Sequence, residues 1–302
     1  AAAPRLPPRW SVVISPVAPR LAAIKPSPTL AVSARAARLK SEGRDIIGLG
    51  AGEPDFDTPR FIKDAAIDAM NKGLTKYTPA GGTASLKKAI IAKFKRDNRL
   101  DYTERQILVS CGGKQTSFNL CLALLNPGDE VIIPAPYWVS YPDMAMVADA
   151  TPVYVPAGIE QGFKITAAQL EKAITPKSRL VFINSPSNPS AAVYTLEELQ
   201  GLGAVLRKHP RIIIASDDMY EHILLDGSKF VNILDACPDL YARTVVENGV
   251  SKAYSMTGWR IGYCGGPQEL IEAMENMQSH STSNPTSISQ YAAEAALNGD
   301  QG

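Results

Sequence analysis

A single lysine stands among small and hydroxylated residues between Gly249 and Gly262, in the order Gly-Val-Ser-Lys-Ala-Tyr-Ser-Met-Thr-Gly-Trp-Arg-Ile-Gly. Arg260 follows Lys252 eight positions later. A lysine that forms a Schiff base needs little crowding and a nearby cation, which lowers its pKa or holds an anionic cofactor. The spacing therefore favours covalent chemistry at Lys252, and a surface lysine beside an unrelated arginine is the alternative.

A glycine pair forms a second candidate site, in the order Ser-Cys-Gly-Gly-Lys-Gln from position 110 to 115. Gly112 and Gly113 let the backbone approach an oxyanion, and the N-terminus of the helix that follows points free N–H groups at it. Lys114 adds a cation. The pattern favours an anion cradle, with an ordinary turn as the alternative.

Apolar runs alternating with amphipathic segments predict the elements that position these residues. The predicted strands are Ile107–Val109, Val131–Ile133, Pro152–Val155, Leu180–Asn184, Ile212–Ser216, Thr244–Asn248 and Ile261–Cys264. The predicted helices are 29–41, 60–72, 84–97, 115–125, 167–174, 195–208 and 267–277. The alternation indicates an α/β fold with a mainly parallel sheet and helices on both faces.

Four polar groups follow predicted strands: the 112–114 loop, Asn188, Asp217 and Lys252. Ligands of open α/β sheets bind at the carboxyl ends of the strands. We therefore expect the four groups to meet at one edge of the sheet. Tyr220, three residues after Asp217, belongs to the same group.

These segments together resemble the class I aminotransferases, which use pyridoxal 5'-phosphate (PLP), and the resemblance runs from about Leu21 to Gln290. Within class I, the chain is most similar to the prokaryotic-type plant and bacterial aspartate/prephenate aminotransferases. The resemblance implies PLP-dependent transferase fold type I and a homodimer with shared active sites. It also implies transamination between L-aspartate or glutamate and a 2-oxo acid, with prephenate to arogenate as a further reaction.

The resemblance gives each matching residue a role. Lys252 is the Schiff-base lysine, Arg260 and the 112–114 loop hold the phosphate, and Asp217 faces the pyridine nitrogen. The residues assigned to the cofactor are Gly112, Gly113, Lys114, Trp138, Asn188, Asp217, Tyr220, Ser251, Lys252, Arg260 and, from the neighbouring subunit, Tyr77. The residues assigned to the substrate are Gly52, Thr29, Lys114, Trp138 and Asn188. Lys114 and Thr29 are expected at the distal carboxylate of dicarboxylic substrates.

The ends of the chain are expected to differ from the body. Residues 1–20 are rich in Ala, Pro and Arg and lack acids, which is typical of a transit peptide or a disordered tail. With the resemblance, this predicts a chloroplast location, with the mitochondrion or cytoplasm as alternatives. Residues 21–60 are assigned to an N-terminal part of a small domain and 61–302 to the large PLP-binding domain. The family's substrate-binding arginine lies well beyond the lysine, so the rest of the small domain is expected to be absent.

Composition excludes several classes of protein. The chain has 302 residues, 45% of them apolar, a net charge of +1 and three histidines, whose spacing suits no metal site. Residues 1–41 hold seven basic residues and no acid, so the body is net acidic, which argues against nucleic-acid binding. Two alternatives to the aspartate-type enzyme stay open. One is another class I PLP enzyme, such as an aromatic, alanine or kynurenine-type transaminase or a lyase, and the other is a truncated non-catalytic subunit.

Overall fold

A mixed sheet forms the centre of the molecule, which a computed structural model describes over residues 18, 21, 22, 24, 26–48, 50, 52–225 and 227–301. Its strands are β1 (Ile107–Ser110), β2 (Glu130–Ala135), β3 (Thr151–Pro156), β4 (Ser178–Asn184), β5 (Ile213–Asp217), β6 (Thr244–Gly249) and β7 (Gly262–Gly265). In the described residues their order is β1-β7-β6-β5-β4-β2-β3. All seven predicted strands are confirmed to within a few residues.

The sheet is parallel from β3 across to β6, as predicted, and β7 runs antiparallel to both of its neighbours. The connection between β6 and β7, residues 250–261, contains a 3-10 turn at Thr257–Trp259 but no α-helix. A parallel crossover usually contains a full helix that packs on the sheet. This connection lacks one and returns the chain in the opposite direction.

The helices are α1 (Pro28–Ser41), α2 (Arg60–Asn71), α3 (Ala84–Asn98), α4 (Gly113–Leu124), α5 (Ser140–Val147), α6 (Ala167–Ala173), α7 (Leu196–Arg207), α8 (Ile233–Ala236), α9 (Gln268–Ser279) and α10 (Ser287–Asn298). The seven predicted helices are confirmed. The sequence reasoning missed α5, α8 and α10. It also began α4 two residues too late, because the glycine pair at 112 and 113 was assigned to a loop.

The strands supply alternate side chains to two apolar clusters, one on each face of the sheet. In β4, Val181 and Ile183 face one cluster, while Leu180 and Phe182 face the other. Helices α4, α5 and α9 cover one face, and α6 and α7 pack on the other, where α3 and α10 also lie. The prediction of an α/β fold with helices on both faces is confirmed.

The N-terminal part packs differently from the body. Helix α1 has no buried residue in the described structure.

The predicted transit peptide at 1–20 lies, apart from Ala18, outside the described residues. Over the part of the chain that is described, no helix combines the length and the apolar character that crossing a membrane requires.

Candidate active site

A cavity of about 1040 Å³ opens at the carboxyl ends of β4, β5 and β6. Its walls include eleven of the residues that the sequence singled out, namely Thr29, Gly52, Gly113, Lys114, Trp138, Asn188, Asp217, Tyr220, Ser251, Lys252 and Arg260. Gly112 lies directly before the wall residue Gly113. Tyr77 does not line the cavity, and its side chain is 93% exposed. The polar groups that follow the strands therefore meet at one edge of the sheet, as expected.

Lys252 projects into the cavity from the turn that follows β6. Val250 and Met256 anchor this turn in the core, and both are fully buried. The Lys252 ammonium donates a hydrogen bond to the Gly52 carbonyl and lies 5.8 Å from the centre of the Tyr220 ring. Burial lowers the pKa of Lys252, Glu53 opposes that shift, and the charge of Arg260 adds to it. The amine is thus biased towards its neutral, nucleophilic form.

The glycine loop and Arg260 form the anion-binding end of the cavity. Gly112 has a φ of +84°, and a Cβ placed on it would lie 2.2 Å from Nη2 of Arg260. Arg260 donates to the Thr257 carbonyl at 2.9 Å and to the Cys111 carbonyl at 3.4 Å. Helix α4 begins at Gly113, so its free N–H groups lie beside the guanidinium. Burial and Arg260 together lower the pKa of Lys114.

Asp217 is a buried acid in the wall of the cavity. Its Oδ2 accepts a hydrogen bond from the Tyr141 hydroxyl, and its Oδ1 accepts one from the Met219 amide at 3.2 Å. Burial raises the pKa of Asp217, while these two hydrogen bonds act in the other direction. The carboxylate is therefore aimed and held where a cationic ring nitrogen would stabilise it.

Asn188 and Tyr220 lie next to each other on the cavity wall. The Asn188 amide lies 3.4 Å from the Tyr220 hydroxyl. The side chain of Asn184 connects the loop that carries Asn188 to strand β5. It accepts a hydrogen bond from the Asn188 backbone N–H at 2.7 Å and donates one to the Asp217 backbone carbonyl at 2.9 Å. Both side chains can thus donate to one oxygen atom of a bound molecule.

Trp138 forms the aromatic wall beside the glycine loop. Its ring meets that of Tyr141 edge-on, with the ring centres 5.3 Å apart. The Lys114 ammonium lies 5.1 Å from the centre of the Trp138 ring. A cation and an aromatic face are therefore presented together at the same wall.

Comparison with known proteins identifies the family. The model of the class I and II aminotransferases matches residues 44–302. The chain belongs to this family. It is 72% identical to the aspartate/prephenate aminotransferase of Nitrosomonas europaea, covering 93% of this chain and 71% of that one. It is 58% identical to a probable aspartate/prephenate aminotransferase of Rickettsia bellii, covering 96% of this chain and 72% of that one. The crystal structure of the Rhizobium meliloti aspartate aminotransferase superimposes with a TM-score of 0.91 at 53% identity, over 94% of this chain and 71% of that one.

These relatives establish an aminotransferase of PLP-dependent fold type I, as the sequence predicted. The predicted chloroplast location is wrong, because these similar proteins come from bacteria, which have no plastids. Nor do bacterial relatives support a plastid transit peptide. The acid-free composition of residues 1–20 misled the prediction, since composition alone does not distinguish a targeting segment from other sequences.

The cavity suits PLP, the cofactor of this aminotransferase family. It offers an amine of lowered pKa to an aldehyde, a helix N-terminus with a guanidinium to a phosphate, and a buried carboxylate to a ring nitrogen. Any side chain at Gly112 would displace the guanidinium. The residues therefore fit the cofactor at three chemically distinct points.

Two residues of the cavity region escaped the sequence reasoning. Tyr141 reaches Asp217 from α5, a helix that was not predicted. Glu247 lines the cavity from the buried strand β6. A charged residue inside the apolar run Val245-Val246-Glu247 was the signal that could have revealed the second one. Tyr141 left no comparable signal, because its role depends on a contact across the fold.

Proposed function

We propose that this aminotransferase moves the amino group between L-aspartate or L-glutamate and a 2-oxo acid, with prephenate as a further acceptor. The observation that carries the proposal is that Lys252, Asp217 and Arg260 face one cavity. The names of the relatives at 72% and 58% identity support aspartate and prephenate as substrates.

Lys252 is proposed as the catalytic residue. Its Nζ would hold the cofactor, and in its free form the same amine would accept the proton from the substrate α-carbon and donate it again. The lowered pKa of Lys252 supports this role, because a neutral amine is needed to accept a proton. PLP, when bound, supplies the electron sink that makes the α-proton acidic.

The other cavity residues are proposed to fix the reacting atoms in place. Arg260 and the N-terminus of α4, with Gly112 and Gly113, hold the phosphate. Ser251, buried beside Lys252, belongs to the same end. Asp217 would hold the ring nitrogen in its protonated form, and Asn188 and Tyr220 would donate to the ring oxygen. Such positioning lowers the entropic part of the barrier.

Dicarboxylic substrates are proposed to extend towards Lys114. The Lys114 ammonium beside Trp138 supplies a cation for a second carboxylate, and Thr29 of α1 lines the same cavity. The Gly52 backbone, which accepts a hydrogen bond from Lys252, would face the α-carboxylate of the substrate. Asn188, on the cavity wall, contributes to both cofactor and substrate.

We also propose a homodimer in which Tyr77 completes the partner's site. Tyr77 is 93% exposed and has no place in its own cavity, which suits a role in a neighbouring subunit. Residues 21–60 are proposed as part of a small domain, and 61–302 as the large one. The absence of buried residues in the described helix α1 supports that division.

The absorption spectrum of the purified chain with PLP, recorded before and after L-aspartate is added, tests the function. We expect a band of lysine-bound cofactor that converts to the pyridoxamine form with L-aspartate. The Lys252→Ala variant should lack the first band. Lys177→Ala is the matched control, because Lys177 is an exposed lysine at the amino end of β4.

Each outcome of this experiment has a distinct meaning. A lysine-bound band in the Lys252→Ala variant would remove Lys252 from its role. A normal band that fails to respond to L-aspartate but responds to L-alanine would replace the proposed substrate class by a monocarboxylic one.

A further inference from the structure

A second buried carboxyl group lies in the floor of the cavity beside Asp217. Strands β5 and β6 are parallel neighbours, and their register places Glu247 opposite Asp217. Glu247 is 1% exposed, yet it lines the cavity. Two carboxylates so close in a low-dielectric site do not ionise together without a large cost. The site must therefore assign the negative charge to one of the two.

The hydrogen bonds of Glu247 suit a neutral acid. Its Oε2 lies 2.5 Å from the Ser117 hydroxyl oxygen, which is itself 3.4 Å from the Gly113 carbonyl. No described group donates a hydrogen bond to Oε1. A carboxylate would leave that charged oxygen buried and unpaired, at a high cost in free energy. A neutral acid instead donates a hydrogen bond from Oε2 to the Ser117 hydroxyl, and Ser117 donates its own hydrogen bond to the Gly113 carbonyl, so that each hydroxyl hydrogen has one acceptor.

The surroundings of Glu247 also disfavour its charge. The described groups that act on it electrostatically are the acids Asp217 and Asp218, on β5 and directly after it. Three further groups interact with it, Cys121 of α4, Tyr141 of α5 and Cys264 of β7, and these side chains are neutral at pH 7. Burial and the neighbouring Asp217 raise the pKa of Glu247 well above its usual range. Asp217 differs because two donors face it.

We propose that Glu247 is a positioning residue, held as a neutral acid by Ser117, which leaves Asp217 as the only negative charge of the pair. The hydrogen bonds from Glu247 to Ser117 and from Ser117 to Gly113 also connect strand β6 to the first turn of α4. The consequence for cofactor binding rests on the proposed role of Asp217. The protonation state of Glu247 does not depend on that role, and it is tested on the protein without cofactor.

The test compares wild type with Glu247→Gln, whose amide imitates the neutral acid, in denaturant unfolding from pH 4 to 8 at one protein concentration. A group whose folded pKa is raised stabilises the fold below its unfolded pKa of about 4.3 and loses that contribution as pH rises. We therefore expect the ratio of the folding constants, variant over wild type, to grow by up to tenfold per pH unit above about pH 4.3. The exposed Glu104→Gln should show no such growth.

A ratio that stays constant with pH would overturn the proposal, even if the spectrum with L-aspartate is as expected. If Glu247→Gln does not fold, infrared spectroscopy of the wild-type protein decides. The carbonyl stretch of a protonated carboxylic acid should be present at pH 7 and should weaken in Glu247→Asp, whose shorter side chain cannot reach Ser117 in the same way.

With PLP added, Ser117→Ala should weaken cofactor affinity by about tenfold, the loss of one buried hydrogen bond. An affinity equal to that of wild type would contradict the link to α4.

Discussion

The hydroxyl of Tyr141, on helix α5, donates a hydrogen bond to Oδ2 of Asp217, the last residue of strand β5. Tyr141 is fully buried and stacks on Phe182 with ring centres 4.1 Å apart, so its direction is fixed by packing. The tyrosine therefore orients the carboxylate and favours its ionised form.

Tyr141→Phe should weaken catalysis while leaving the fold intact. Removing the donor leaves Asp217 less favourably charged and its pKa higher, so kcat/KM should fall by roughly tenfold to a hundredfold, the usual cost of one buried hydrogen bond to a charge. Steady-state kinetics with L-aspartate measure this. Tyr102→Phe is the matched control, because the Tyr102 hydroxyl is buried without a hydrogen-bond partner in the described structure. Equal losses in both variants would show that the hydrogen bond is irrelevant.

Gly112→Ala should loosen the cofactor through Arg260. A methyl group there would lie 2.2 Å from Nη2, so the guanidinium must move away from the N-terminus of α4. We expect the PLP dissociation constant to rise by tenfold or more, measured by titrating the apoprotein spectroscopically. Gly128→Ala is the control, with a similar φ of +89° and no described atom within 4 Å of the added carbon. If both variants lose affinity alike, backbone strain rather than the displaced arginine is responsible.

Lys114→Ala should change substrate preference more than it changes cofactor binding. Its ammonium lies over the Trp138 ring in the cavity wall, where a distal carboxylate would form an ion pair with it. We expect kcat/KM for L-aspartate to fall by at least tenfold and that for L-alanine to change by less than threefold. Competition kinetics with both amino acids measure the ratio. Parallel losses for the two substrates would favour an anchor for the phosphate instead.

Much of this architecture follows from the local sequence. The strands were predictable because runs such as Val131–Ile133 and Leu180–Asn184 are apolar and short, as strands buried on both faces must be. Helix α7 could be predicted from its amphipathic pattern and its cap, in which the Thr195 hydroxyl accepts from the Glu198 amide. These signals depend only on residues close in sequence.

The missed features depend on contacts between distant residues. Helix α5 contains Pro142 in its first turn, which resembles a loop until its place over the sheet is known. Half of the residues in helix α10 are Ala or Ser, and its packing against α2 and α3 decides its structure. The hydrogen bond from Tyr141 to Asp217 is another such contact, since no local pattern connects residues so far apart.

A network of polar and charged side chains, most of them buried, includes His222, the second of the three histidines in the chain. Glu221 accepts hydrogen bonds from the buried Lys93 and, at 2.7 Å, from Asn248 of β6. His222 lies 3.6 Å from Asp97 and 3.3 Å from Glu221. These acids, Asp97 first, raise the pKa of His222 to about 9, although burial and Lys93 act against them. The charged imidazole therefore joins α3 to the segment that carries Tyr220.

His222→Gln should remove a pH-dependent part of the stability. The folded pKa of His222, about 9, lies above its ordinary value of 6.5, so protonation stabilises the folded state. That contribution is complete below pH 6.5 and is lost as pH rises to 9. The difference in unfolding midpoint between wild type and variant should thus be largest near pH 6 and should shrink towards pH 9. His280→Gln, at the exposed end of α9, is the control. A difference that grows with pH would mean that His222 is neutral in the folded protein.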